Sequence, residues 1–279
     1  MIIKRRAILI IFILIASIVL CSLVSGGGFE PGIWDGWQPD LSLRGGDESS
    51  NSPSSPSYLS DMKPYYYNSN DLAPDAKTWN NNGIALGQQG KYDEALQAFD
   101  KAIELNPQLA EAWNNKGRAL ISLGRYDEAI QALDTATGIN PQFADAWCNK
   151  GMAFSKQGKY SESLIYFNKS IEINPQVSDA WNDRGVVLSL QGKNDAALMS
   201  IDKALEIDPQ RVEALAMKGN ILNSQNKFNE AIQILDKATN INPSFVPAWV
   251  FKGNALKALG RATEADAAFA KAKELGYTG

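Results

Sequence analysis

Histidine is absent from all 279 residues, cysteine occurs only twice, and neither residues 26–75 nor residues 76–279 taken whole carry an excess of positive charge. Each shortage excludes a class of chemistry. Histidine is the commonest general base and metal ligand, so Ser-His-Asp hydrolysis, Cys-His proteolysis and histidine-built zinc sites are ruled out. Residues 76–279 hold 22 basic and 23 acidic side chains. A balance that close lacks the electrostatic footprint of nucleic-acid binding, in which phosphate neutralisation supplies most of the affinity. There is no phosphate-cradling loop either, because Gly83, Gly90 and their equivalents read as packing or turn glycines. What remains, with 44% hydrophobic and 21% charged residues and a net charge of −4, is a chain able to bury a sizeable core.

The first 25 residues read as a membrane signal. Lys4, Arg5 and Arg6 precede an apolar run over residues 7–24 that only Ser17, Cys21 and Ser22 interrupt. Such a run in helical form rises about 27 Å, close to a hydrocarbon core of roughly 30 Å. Removable signal peptides usually have a shorter apolar stretch, so length favours a retained transmembrane helix; cleavage near Val24-Ser25-Gly26, with secretion, is the alternative. Held inside by its basic residues, the anchor would place everything after it outside the cytoplasm. Cys21 does not fit a lipoprotein signal, because Leu20 stands where a small residue is needed. Residues 26–75 are rich in Gly, Ser, Asn and Pro and carry eight acids, a composition that predicts a disordered, flexible linker. Its aromatic residues Trp34, Trp37 and Tyr65-Tyr66-Tyr67 could meet the lipid interface or a partner.

From Ala76 onward the sequence repeats every 34 residues without an insertion. The column Trp79, Trp113, Trp147, Trp181, Leu215, Trp249 sets the register, and Gly83, Gly117, Gly151, Gly185, Gly219, Gly253 follow four residues later. Pro107, Pro141, Pro175, Pro209 and Pro243 close the first five units, so six units cover 76–109, 110–143, 144–177, 178–211, 212–245 and 246–279. Within the first unit, Trp79, Gly83 and Leu86 recur at helical spacing and Gly90-Lys91 breaks the pattern. Asp93-Glu94 then opens a second helix, where acids suit the N-terminal dipole, with Ala95, Phe99 and Ala102 on its apolar face. Asn106-Pro107 ends it, since a residue before proline is driven from helical geometry. A glycine inside a helix costs about 1 kcal/mol relative to alanine, so six of them imply a compensating close approach of two helices, beside small Ala95 and Ala102. A lone hairpin leaves one apolar face wet, so the units must stack into a solenoid. In the last unit Asp266 and Lys273 replace apolar or weakly polar residues, which predicts that the array ends there.

These residues resemble the tetratricopeptide repeat family, whose pattern is Trp, Leu-Gly, Tyr, Ala, Phe, Ala, Pro at matching intervals, over residues 76–279. Asn82, Lys116, Lys150, Arg184, Lys218 and Lys252 stand where the family usually has leucine, and the family's tyrosine is an apolar residue here, from Leu86 to Leu256. The resemblance implies an all-α fold, a right-handed α-solenoid of helix-turn-helix units, with first helices lining a concave groove that binds peptides or protein partners. Two polar ladders fall on those helices: Asn81, Asn115, Asn149, Asp183 and Asn80, Asn114, Cys148, Asn182. Asparagine offers a donor and an acceptor, which suits a peptide backbone of any sequence; the other reading is a solvated surface inherited by duplication. Arg118, Asn220 and Asn254, with Met152 between them, are specificity candidates on an adjoining ladder. The family's carboxylate clamp for chaperone tails is matched only by Asn115.

Cys148, the one cysteine outside the membrane segment, reads as a packed thiol, with an intermolecular bridge or reactive site as the alternative. No catalytic residue, metal ligand or cofactor site emerges. The sequence therefore points to a membrane-tethered, non-enzymatic scaffold for a protein or peptide ligand, with no nucleic-acid partner; a self-associating surface component is the alternative.

Overall fold

A computed structural model describes residues 75–278, all helices and turns with no strand among them. The anchor and linker expectations fall, apart from Asp75, outside the described residues, and none of the described helices is long and apolar enough to cross a membrane. Twelve helices follow one another in pairs: α1 (Ala76–Gln88) and α2 (Tyr92–Leu105), α3 (Ala110–Ser122) and α4 (Tyr126–Ile139), α5 (Ala144–Lys156) and α6 (Tyr160–Ile173). The second half repeats this with α7 (Ser178–Leu190) and α8 (Asn194–Ile207), α9 (Val212–Ser224) and α10 (Phe228–Ile241), α11 (Val246–Ala258) and α12 (Ala262–Glu274). Asp75 caps α1, its carboxylate accepting from the Thr78 amide at 2.7 Å. The turn inside each unit needs a left-handed residue, supplied by Gly90 (φ 74°) in the first unit and by Asn226 (φ 60°), the next best residue for it, in the fifth.

Each second helix carries one large side chain directly over the glycine of its partner helix. A Cβ at Gly83 would lie 2.5 Å from the Phe99 ring, and at Gly151 2.7 Å from that of Phe167. Leu133, Ile201, Leu235 and Phe269 occupy the same place in the other units. The close approach expected from sequence is present: this one side chain fills the space over each glycine, Ala95 and Ala102 are fully buried, and in the fourth unit a Cβ at Gly185 would also lie 3.2 Å from the carbonyl oxygen of Ala197, at the place of Ala95. The serine that replaces an alanine in the third unit, Ser163, is also fully buried and donates to the Tyr160 carbonyl at 2.8 Å.

Between units the contacts repeat as well. Alanines at the third position of each first helix, Ala112, Ala146, Ala180, Ala214 and Ala248, are all 0% exposed; Thr78 holds that place in the first unit and is exposed. The indole N–H of Trp113, Trp147, Trp181 and Trp249 donates to the carbonyl of Pro107, Pro141, Pro175 and Pro243 at 2.9–3.0 Å, fastening these four units to the loop before them. The basic residues before the glycines, a departure from the family pattern, have a structural task. Lys116, Lys150, Lys218 and Lys252 pair with Asp100, Asp134, Asp202 and Asp236 on the preceding second helix at 2.5–2.7 Å, and Arg184 donates to Asn168. At the two ends the pattern stops: Asn82 has replaced the cation, Ala270 the aspartate, and Asp266 and Lys273 are exposed.

Consecutive first helices touch at every junction more closely than consecutive second helices do, so the stack curves with the first helices inside. Gly151→Ala should destabilise the array by about 1–3 kcal/mol, because the added methyl must displace the fully buried Phe167 ring. Gly87→Ala in α1, where an added Cβ meets nothing within 4 Å, should instead stabilise by up to about 1 kcal/mol. Urea melts of the two variants check this opposition of sign.

Candidate functional site

The inner face is built from the first helices, and the columns expected there divide into two sets. Asn81, Arg118 and Asn254 are exposed, and Asn115 and Asn220 are half-buried. Asn80, Asn114, Asn149 and Asn182 are buried, between 3% and 8% exposed. The reason is a junction bond in which the amide of one unit reaches back to the unit before. Asn115 donates to Asn80 at 3.0 Å, and Asn149 donates to Asn114 at 2.8 Å. Two of the sequence-predicted ladder columns are thus rungs of one another across the first two junctions, and Asn80, Asn114 and Asn149 are occupied in holding units together.

At the third junction the rung is lost, since Cys148 stands where the acceptor would be and Asp183 where the donor would be. At the fourth, Met217 faces Asn182, and Asn182 Oδ1 has no hydrogen-bond partner among the described residues. The Asn182 amide turns its N–H to Asp183 at 3.0 Å instead. Cys148 is a free thiol, 3% exposed, whose pKa is pushed well up by burial and by Asp183, Asp179 and Asp145. These properties describe a packed, unreactive group.

The middle of the inner face also gathers an acidic column that the sequence reading passed over. Glu111, Asp145, Asp179 and Glu213 occupy the second position of four successive first helices, and Asp183 lies one turn along α7 from Asp179. Arg211, where other units have Leu109, Phe143, Val177 or Phe245, pairs with Asp179 at 2.5 Å with only 10% of its side chain exposed. The signal was in the columns: four acids at 34-residue spacing and one arginine in an apolar column. Burial, and then the charge of Asp179, raise the Asp183 carboxyl to about 6, against the pull of Arg211, Asn182 and Lys156. Asp145 is raised too, by desolvation and by Asp179. Among the described residues no group of histidine, cysteine, aspartate and glutamate could hold a metal ion.

Two measurements follow from this geometry. Asn149→Ala leaves the buried Asn114 oxygen without its donor and should cost about 1–3 kcal/mol in urea melts, whereas Asn81→Ala, at an exposed position, should stay within about 0.5 kcal/mol. Because the folded-state pKa of Asp183 lies above its ordinary value of 3.8, this group favours the folded state most when protonated; its contribution grows as pH falls through about 6 and levels off near 4. Stability relative to Asp183→Asn should therefore rise by on the order of 2 kcal/mol between pH 7 and pH 4. A carboxyl carbon titration of Asp183 by NMR should have its midpoint near 6.

Profiles described as tetratricopeptide repeat match residues 80–142, 144–177, 166–199, 188–250 and 246–275, together covering nearly the whole array. Among curated proteins none matches the chain. Several solved structures share the fold. A thermophilic tetratricopeptide repeat protein of Thermus thermophilus is 22% identical with a TM-score of 0.56, over 69% of this chain and 99% of that one. PilF of Pseudomonas aeruginosa is 16% identical with a TM-score of 0.64, over 73% of this chain and 93% of its own. A chain of the APC/C hetero-tetramer Cut9–Hcn1 gives 19% and 0.69, over 74% of this chain and 41% of the other. With the same glycine, alanine and proline columns, the same helical hairpins and matches from end to end of the array, the chain belongs to the tetratricopeptide repeat family.

Proposed function

We propose that the chain is a non-catalytic interaction scaffold that takes an extended peptide or protein segment along the inner face of its array. The observation that carries this reading is a set of side chains the fold does not need. Asn81, Arg118 and Asn254 are exposed on the inner helices and take no part in the inter-unit bonds, while Ile84, Met152 and Val186 offer half-buried apolar surface in the column of Arg118. Amide groups supply about 1 kcal/mol each, so the apolar contacts and the charge must contribute the rest. The acidic column formed by Glu111, Asp145, Asp179 and Glu213 suits a segment bearing lysine or arginine better than an acidic one.

The tether belongs to the same proposal. The apolar run at 7–24 behind Lys4, Arg5 and Arg6 supports an anchor with the array outside the cytoplasm, joined by the polar spacer of 26–75. Self-association is the second reading, and the outer-face pair Ile165 and Met199, 63% and 72% exposed at the same place in successive units, favours it. Head-to-tail stacking is disfavoured, because Asn82 and Ala270 remove both halves of the inter-unit ion pair.

A random peptide library panned against the full-length chain tests the groove. Enriched peptides should be rich in lysine and arginine, and Asp145→Asn combined with Asn220→Ala should weaken them about ten-fold, equivalent to about 1.4 kcal/mol. Peptides that bind this double variant as tightly as the parent chain would remove the inner face from consideration.

A further inference from the structure

The row of cations that covers the tryptophans has a gap. Lys116 lies 5.5 Å from the centroid of the Trp113 ring, Lys150 5.3 Å from Trp147, Arg184 5.8 Å from Trp181 and Lys252 5.2 Å from Trp249. In the fifth unit Lys218 accompanies Leu215, which has no indole to cover. The first unit has the indole, Trp79, but Asn82 stands where the cation would be, short and uncharged. Among the described residues no cation lies over Trp79.

Where Asn82 falls short, the surface opens into a cleft of about 550 Å³ between α1 and α2. Trp79, Asn82, Leu86, Gln97 and Ala98 line it, together with the carboxylates of Glu94 and Asp100 and the ammonium of Lys101. Alanine at the place of Ala98 does not by itself leave a ring uncovered, because the second and sixth units have it too, as Ala132 and Ala268, and their lysines lie over the rings. Asp100 is committed to Lys116 at 2.6 Å, and Lys101, the one cation of the lining, to Glu104 at 2.7 Å. Glu94 enters no ion pair among the described residues, so the cleft combines an aromatic face with an unpaired carboxylate, beside a lysine already held by Glu104.

We propose that this cleft receives a lysine or arginine side chain of a partner protein, which takes over Trp79 the place that Lys116, Lys150, Arg184 and Lys252 take in their own units. The chemistry is that of the other units: the negative face of the indole attracts a cation, and a nearby carboxylate adds to the attraction. The site does not rest on the inner-face reading. Asn82 and Ile84 are two residues apart on α1, which puts them roughly 160° apart around the helix, so the cleft opens away from the groove.

The test uses the full-length chain with ¹⁵N-labelled tryptophan, its Trp79 signal assigned through Trp79→Phe. n-Butylammonium, the end of a lysine side chain, is titrated in parallel with n-butanol, its uncharged counterpart. The Trp79 indole resonance should move with n-butylammonium and saturate, with affinity about two- to five-fold higher than for n-butanol, while the covered Trp113, Trp147, Trp181 and Trp249 stay still. Asn82→Lys and Asn82→Arg supply the cation from the chain itself, as the other units do, and each should abolish the Trp79 response with the circular dichroism unchanged. A Trp79 signal that n-butylammonium does not move, equal affinity for the alcohol, or a response that survives in both variants would each overturn the proposal. Failure of the peptide-library experiment would leave these outcomes as they are.

Discussion

The array depends on one steric arrangement, the seating of a large side chain from each second helix over the bare backbone of a glycine in the first. With a Cβ at that glycine, the ring of Phe99, Phe167 or Phe269 would have to shift from its place. The helical penalty of the glycine, about 1 kcal/mol, is smaller than what burial of such a side chain returns, about 1.5–3 kcal/mol, and the exchange repeats in all six units. Once the two helices are locked at that distance, the alanines around them, such as Ala95, Ala102 and Ala129, are fully enclosed. The outer faces of the hairpin are then fixed in shape, and a second hairpin can nest on them.

The junctions are held by several kinds of bond that together set register. Small alanines let the helices of neighbouring units approach, the indole N–H groups tie the second, third, fourth and sixth units to the preceding proline carbonyl, and the lysine–aspartate pairs bridge the second helix of one unit to the first helix of the next. The ion pairs are partly exposed, with Lys116 26% and Asp100 48% accessible, so each contributes little by itself. Their weight lies in specificity: a lysine bound to an aspartate and also laid over an indole has one best position, which suits only a correctly placed neighbour. At the first and last described units these complementary groups are missing, Asn82 lacking the charge and Ala270 the carboxylate.

Toward the inside, the face is divided by the same junction logic. Over the first two junctions the asparagines satisfy one another, and from the third onward Cys148, Asp183 and Met217 break the rungs and an acid-rich stretch around Arg211 takes over. The change is chemical rather than architectural, because the helices carrying it are superposable turns of one repeat. The inner face therefore differs along its length, with asparagine rungs over the first two junctions and a cluster of carboxylates around Arg211 in the middle.

The period, the hairpins, the glycine columns and the family were legible in the sequence because each is a local rule repeated six times, and repetition makes a weak local signal strong. The same repetition hid what differs between units. Asn80, Asn114 and Asn149 looked like surface groups because a sequence gives the column of a residue but not the neighbour 35 residues away that accepts or donates its hydrogen bond. The lysines before the glycines looked like a departure from the family, and only the distance to an aspartate of the previous unit and to an indole of the same unit gives them a reason. Secondary structure and repeat boundaries follow from interactions within one unit, so the chain alone determined them. Which polar groups are used up in stacking and which remain open is settled between units, and that required the assembled superhelix.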